Sequence, residues 1–407
     1  MKAMENREPA LSKVEGRGSA GQHQGAVMKK GWQTKTLGEI CDIERGGSPR
    51  PIQEFITTDP NGINWIKIGD ATASGKYIYK TEEKIKPEGV KRSRMVYEGD
   101  FILSNSMSFG RPYIMKTTGC IHDGWLVLHQ PKVDPDYLYH ALSSDLVFDQ
   151  FDRLAAGSTV RNLNIGLAKS VEIPYPPLAE QQRIVGLLDE AFEGLATAKA
   201  NAEKNLQNAR ALFESHLQSV FTQRGPGWMD TTLDKISTNL DSKRVPITKN
   251  VRSSGEYPYY GASGIVDYVA EYIFDGDTLL VSEDGANLLA RSTPIAFSVS
   301  GKYWVNNHAH ILKFENMATQ RFVEFYLESI KLDEYITGAA QPKLNQKALN
   351  SIPIPIPKSV ETQAKIVESV ESLHDETQRL ARLYEQKLAA LEALKKSLLH
   401  QAFTGQL

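Results

Sequence analysis

The chain says the same thing twice, and each statement ends in a long amphipathic stretch. Gly31-Trp32 with Thr36-Leu37 and Ile40 returns as Gly227-Trp228 with Thr232-Leu233 and Ile236, at one constant offset. Glu98-Gly99-Asp100 ahead of Phe101–Ser104 returns as Asp275-Gly276-Asp277 ahead of Leu279–Ser282. Gly157, Leu163, Asn164, Ile173, Pro174 and Pro176 return as Gly338, Leu344, Asn345, Ile354, Pro355 and Pro357, again at a constant but shorter offset. Matches that keep their order indicate a duplicated structural unit. The shrinking offset means that the interior of the first half is longer. One scaffold is expected to carry two different surfaces.

In each half, short runs such as Trp65–Ile68, Phe101–Leu103, Gly124–Leu128, Thr278–Val281 and Ile295–Val299 read as strands punctuated by Gly, Asn, Asp and Pro. Short helices are predicted at Pro135–Ser143 and Arg321–Ser329. Ile173-Pro174-Tyr175-Pro176-Pro177 and Ile352-Pro353-Ile354-Pro355-Ile356-Pro357 cannot be helical, because alternate prolines lack N–H donors and restrict their predecessors. They read as extended connectors.

After the first connector, Ile184, Leu188, Ala191, Leu195, Ala198 and Ala202 keep 4-3 spacing, and Leu206, Ala209, Phe213, Leu217 and Val220 continue it with stutters. After the second, Ile366, Val370, Leu373, Thr377, Leu380, Tyr384, Leu391, Leu394 and Leu398 hold a heptad that Lys387 interrupts, with Leu388 beside it. Each pattern covers roughly 40 residues or more, about 60 Å of helix. Such stripes are best covered by each other, as an intramolecular antiparallel coiled coil. Leu187, Phe192, Leu212 and Phe221, with Leu383, Leu388 and Leu399, fall off the main seam and are expected to form a surface for partner helices.

The 407 residues with 41% hydrophobic content suffice for two to three domains. No apolar run is long enough to span a bilayer and the N-terminus lacks a signal-like apolar region, so the expected compartment is the cytoplasm. Cys41 and Cys120 lie far apart without metal spacing and read as buried thiols. Residues 1–30 hold few large apolar side chains and are expected to be disordered, with Met28 a possible alternative start. The net charge of −2 hides local basic clusters. Lys84, Lys86, Lys91, Arg92 and Arg94 are opposed only by Glu88, and Lys243, Arg244, Lys249 and Arg252 only by Asp241. Two clusters in related positions point to a polyanion.

Signs of catalysis are weak. Gly69 with Gly75-Lys76 resembles a phosphate loop, but its spacing is one residue too long and Tyr77 stands where Ser or Thr should be. Asp59, Glu82 and Lys84 only loosely echo a metal nuclease. His308 and His310 would share a strand face without an evident third ligand, so a satisfied core role is expected. Neither an Asn- or Asp-Pro-Pro-aromatic motif nor a Gly-x-Ser-x-Gly elbow occurs.

Gly157-Ser158-Thr159, Leu163-Asn164 and Ile173-Pro174-Tyr175-Pro176-Pro177-Leu178-Ala179-Glu180-Gln181-Gln182-Arg183-Ile184-Val185 resemble the junction between target-recognition domain and conserved helix in specificity subunits of type I restriction–modification systems. Gly31-Trp32 through Leu37-Gly38-Glu39-Ile40 resembles the start of that family's recognition domain, and Lys395–Leu399 with Ala402–Leu407 its ending. At the second junction, Pro357-Lys358-Ser359-Val360-Glu361-Thr362-Gln363 departs from Pro-Leu-Ala-Glu-Gln-Gln, which leaves helix registration there open.

The resemblance implies an α/β (α+β) fold with two target-recognition domains, 31–177 and 225–357, separated by antiparallel spacer helices, 178–224 and 358–407. It implies a non-catalytic chain without cofactor or metal of its own. S-adenosylmethionine would belong to two modification (methyltransferase) subunits, and ATP and magnesium to restriction subunits. The ligand would be double-stranded DNA with an asymmetric, bipartite site. Candidate contacts in the first unit are Arg50, Lys76, Lys91, Arg92, Arg94, Asn105, Ser106, Ser108, Arg111, Arg161 and Asn162. In the second they are Lys243, Arg244, Ser282, Glu283, Asp284, Asn287, Arg291 and Lys343. The competing readings are a helical scaffold for protein or glycan ligands, which would lack salt-dependent affinity for duplex DNA, and a fused restriction–modification enzyme.

If the helices act as a ruler, deleting four residues from one of them changes the length of the unread spacer and leaves both half-sequences unchanged. A spacer preference that stays fixed in a binding-site selection refutes the ruler.

Overall fold

The structure, a computed structural model, describes residues 29–105, 110–155, 163–338 and 340–407. It divides into two compact units, one made of the chain up to Thr197 together with Leu391–Leu407, the other of Ala198–Ala390. Two long helices, Leu178–Thr222 and Val360–Phe403, each contribute one part to each unit. None of the described helices is long and apolar enough to cross a membrane.

In the first unit, Glu172–Tyr175 pairs antiparallel with Gln33–Thr36. The proline-rich connector is therefore a strand, tolerated because a two-stranded ribbon does not require every N–H to be paired. One sheet runs in the order Asp42–Arg45, Trp125–His129, Phe101–Ser104, Pro112–Met115, Tyr77–Ile78. A second runs Ile56–Thr57, Glu83–Ile85, Ile63–Ile66, Gly119–Ile121, Arg94–Val96. The strand expected at Trp65–Ile68 thus ends at Ile66, and a short helix opens at Ile68. The main core joins Phe101, Leu103, Leu126 and Leu128 to the helix Pro135–Leu142, and to Ile184, Leu188, Leu399, Ala402 and Phe403 of the long helices. Tyr137 stands in it, its hydroxyl donating to the Pro174 carbonyl at 2.9 Å and its ring 5.3 Å from that of Phe403. Both cysteines are buried and unpaired, and burial pushes the Cys41 thiol up to about 12.

The second unit repeats the plan. Trp228–Thr232 pairs antiparallel with Pro353–Pro357. One sheet is ordered Thr238–Asn239, Ala309–Lys313, Thr278–Ser282, Ala296–Val299, the other Gly264–Val269, Ser254–Gly261, Lys302–Val305, Phe274–Asp275. The helix Met317–Ser329 begins earlier than the pattern indicated, because the Asn316 side chain caps it by accepting from the Thr319 N–H at 2.8 Å. Gly31 and Gly227 both take a positive φ, near 90°, which explains the repeated Gly-Trp.

The chain direction in each unit makes the helical segments antiparallel. Ile184 and Leu188 share a core with Leu399, Ala402 and Phe403 in the first unit, and Leu217 and Phe221 share one with Val367 and Val370 in the second. Two of the residues assigned to a partner surface are corrected by this packing. Phe221 is buried, 5.2 Å from the rings of both Phe322 and Tyr326. Leu399 is buried in the first core. In each case the globular part covers the helix end, so a residue off the helix–helix seam still faces protein. Conversely Leu394, placed on the seam by spacing, is exposed, while Leu388 is half-buried. Leu187, Leu212 and Leu383 are exposed at 42%, 52% and 54%, and Phe192 is half-buried under the Lys395 ammonium.

Both helix starts are locked by a buried glutamine. The Gln181 amide donates to the Pro176 carbonyl at 2.8 Å and accepts from the Asp134 N–H at 2.9 Å. The Gln363 amide donates to the Pro357 carbonyl at 2.7 Å and accepts from the Thr319 hydroxyl at 2.6 Å. The proline–glutamine separation is five residues in the first and six in the second. This single insertion settles the registration that the diverged second junction left open. Gln363→Ala removes the buried donor to the Pro357 carbonyl, while the Thr319 hydroxyl keeps Asn316 Oδ1 at 3.0 Å as acceptor, and is expected to cost about 2 kcal/mol. Urea unfolding of the variant checks this, and an unchanged midpoint would contradict it.

Candidate nucleic-acid interface

The two units build the same edge from the same backbone bonds. In the first, the Asn105 N–H donates to the Gly124 carbonyl at 3.0 Å and the Leu163 N–H to the Asn105 carbonyl at 3.2 Å. In the second, the Glu283 N–H donates to the His308 carbonyl at 2.9 Å and the Leu344 N–H to the Glu283 carbonyl at 2.8 Å. The repeated Leu-Asn pair is thereby explained. Its leucine ties the edge down, and its asparagine caps the next helix, Asn164 accepting from the Leu167 N–H and Asn345 from the Ala348 N–H. Each edge therefore joins the end of a central strand, a turn (His122–Gly124 or Asn306–His308) and the segment that begins at the repeated leucine.

Side chains on this shared frame differ. In the first unit, Asn105 is buried and its amide donates to the Asp123 carbonyl at 2.9 Å. The Asp123 carboxylate accepts from the Ser48 hydroxyl at 2.6 Å and pairs with Arg50 at 3.2 Å. Those hydrogen bonds outweigh burial and hold its carboxyl below the usual range. A Cβ at Gly46 would sit 2.0 Å from the His122 carbonyl oxygen, so only glycine allows this approach. Burial lowers the His122 imidazole, whose Nδ1 accepts from the Gly124 N–H at 2.9 Å. A cavity of about 970 Å³ opens here, walled by Arg50, Ile52, Trp65, Lys67, His122 and Asp123.

In the second unit the edge is ionic. Arg244 pairs with Glu283 at 2.6 Å and donates to the Ala309 carbonyl at 2.8 Å, and Lys343 pairs with Glu283 at 3.2 Å. His310 is buried, with Nδ1 2.5 Å from Asp241 and Nε2 2.7 Å from the Leu344 carbonyl. Asp241, Glu283 and His310 bring ligand atoms within 4.8 Å of one another. A cation there would compete with Arg244 and Lys343, and both ring nitrogens already have partners, so the cluster is a closed ion-pair network. His308 pairs with Asp284 at 2.9 Å.

Several residues proposed as contacts turn inward and are corrected. Ser282 is buried and donates to the Ala262 carbonyl. The Arg291 guanidinium spans the Leu327 and Ile330 carbonyls at 3.3 and 2.8 Å. Asn287 closes its own loop on the Thr293 N–H and carbonyl. Lys76 pairs with Asp136, and its ammonium stacks over Tyr139. Asn105, Arg244 and Glu283 shape the edge from within rather than project from it. Arg94 is half-exposed and paired with Glu44 at 3.0 Å. Arg50, Lys91, Arg92, Arg111, Lys243 and Lys343 are exposed, and Asp284 is half-buried. Ser106, Ser108, Arg161 and Asn162 lie outside the described residues. Sequence reasoning missed Ser48, His122 and Asp123, and the hairpin turn at Ala262. The signal for His122 and Asp123, a turn just before a central strand in both halves, is topological.

Burial pushes the Asp241 and Glu283 carboxyls up, but His310, Arg244 and, for Glu283, Lys343 outweigh it and hold both below their ordinary values. Their contribution to stability is therefore present above the usual carboxylate range and is lost as pH falls through the depressed values. Stability should fall as pH drops below the ordinary carboxyl values of 4.5 and 3.8. Asp241→Asn should be less stable at neutral pH and show a shallower drop, as read by denaturant midpoints across that range.

A family model, the type I restriction modification DNA specificity domain, matches residues 29–206 and 226–392. A type I restriction enzyme specificity subunit of Haemophilus influenzae is 34% identical over 173 residues, 42% of this chain and 43% of that protein, so the match spans less than half of that relative's length. A solved structure concerned with assembly and conformational transition of the type I R-M system shares the fold, with a TM-score of 0.77 at 18% identity over 93% of this chain and 99% of the other. The HsdS subunit from Thermoanaerobacter tengcongensis gives a TM-score of 0.59 at 18% identity, over 93% and 98%.

Proposed function

Because the chain belongs to the type I restriction modification DNA specificity family, we propose that it binds an asymmetric, bipartite site on double-stranded DNA and brings other subunits to it. The observation that carries this reading is the pair of edges, with one set of backbone bonds and two sets of side chains. A shared frame presents each surface in the same way, and unlike side chains let each read a different half-site. Units 31–177 and 225–357 are the readers, and segments 178–224 and 358–407 the spacer helices.

Affinity comes from exposed cations such as Lys91, Arg92 and Lys243 neutralising phosphates, and discrimination from polar groups offered to base edges. Arg50, Arg111, Asp284 and Lys343 are the groups that these edges offer. The exposed Leu187, Leu212 and Leu383 form part of the surface for two methyltransferase subunits, which would use S-adenosylmethionine. Restriction subunits dependent on ATP and magnesium complete the assembly. This chain supplies the address and no chemistry of its own, and acts in the cytoplasm.

The test is to express the chain with its methyltransferase subunits and sequence the methylated genome. Two unlike half-sites with a fixed spacer support the proposal, and methylation without any such motif refutes it. In binding measurements, log affinity should fall linearly with log salt, and Lys243→Ala should reduce that slope by about one without changing the motif.

A further inference from the structure

The second unit carries a β-hairpin, Ser254–Gly261 and Gly264–Val269, whose exposed side chains the fold does not need. Gly261 pairs with Gly264, leaving Ala262-Ser263 as a two-residue turn, and Gly264 takes a φ of 125°. Ile265 and Val266 stand just after the turn, exposed at 47% and 56%. Apolar β-branched residues exposed at the tip of a ribbon gain nothing from burial, and a ribbon whose tip meets a ligand has a use for them.

The turn is tied to the reading edge. The Ser282 hydroxyl donates to the Ala262 carbonyl, and the Asn287 amide lies 3.5 Å from the Ser263 hydroxyl. The register slips between Tyr259 and Tyr260, which pair with Asp267 and Ile265, so Val266 is the extra residue of a bulge. Bulges re-aim side chains. Val266 crosses Gly261 so closely that a Cβ there would lie 2.8 Å from its Cγ1, and 3.3 Å from the Asn306 amide nitrogen. Val266 thus lies beside the Asn306–His308 turn of the edge. Of the hairpin's two carboxylates, Asp267, nearer the turn, is paired with Arg252 at 3.1 Å, and the exposed Glu256 lies toward the end away from the turn.

We propose that this ribbon enters the major groove of one half-site, with Val266 contacting a thymine methyl and the Ser263 hydroxyl a base edge. The proposal rests on the DNA reading above and assigns it specific residues. A two-stranded ribbon fits the major groove, where the thymine methyl is the one apolar feature and a hydroxyl can donate or accept. Phosphate-facing cations cannot distinguish bases, so residues of this kind are what the edge requires.

The complex of this chain with its methyltransferase subunits is incubated with randomised duplex DNA, and the bound fraction is sequenced for wild type, Val266→Ser and Ser263→Ala. Each variant should relax one or two positions of one half-site by about fivefold or more, with the other half-site and the spacer kept. If both half-sites stay unchanged, or if binding weakens equally on all sequences, the hairpin is not a reader, although the chain still reads DNA. If the wild-type complex selects no bipartite motif, the DNA reading itself fails.

Discussion

Each unit depends on a strand that cannot become a helix. Pro174 and Pro176, like Pro353, Pro355 and Pro357, force the chain to stay extended, and it pairs with the strand that opened the same unit. The unit is thereby closed on itself before the long helix begins. A buried glutamine then fixes the first helical turn against the proline carbonyl. Because the junction is both closed and hydrogen-bonded, the helix leaves each globular part at a defined point, and its apolar face meets the core there.

The second constraint separates what repeats from what varies. The bonds that set the edge use backbone groups, from Leu163 and Leu344 to Asn105 and Glu283 and on to Gly124 and His308. Backbone bonds place no demand on residue type, so the side chains at these positions can change without disturbing the frame. The first edge satisfies its buried groups with amide and hydroxyl bonds around Asp123, the second with the Asp241–His310–Glu283–Arg244 network. Each solution leaves few buried polar groups unpaired, which is the condition for a polar surface element to stay in one conformation.

Much of this was legible in the sequence because periodicity and proline are local signals. The 4-3 spacing foretold both helices, and the repeated Leu-Asn marked positions that hold the edge and cap a helix. Individual contact residues were not legible. Ser282 ends its strand and Arg291 lies in the loop beyond it, where polar residues are ordinary, but one hydroxyl is spent on Ala262 and one guanidinium on two carbonyls. Leu399 and Phe221 lie off the seam, but a globular core reaches over them. Polar and apolar residues alike are assigned by what packs next to them, and those neighbours lie far away in the chain.

The sequence by itself determined the duplication, the two helices, the extended junctions and the absence of familiar catalytic motifs, since each follows from residue type at short spacing. Only the tertiary structure decided which side chains point outward. It brought His122–Asp123 to Asn105 and the Ala262-Ser263 turn to Ser282, contacts made between strands that pair across long loops. The physical reason is that a strand's register, and with it the face each residue shows, is set by its pairing partner. That partner is chosen by the whole core and not by neighbouring residues.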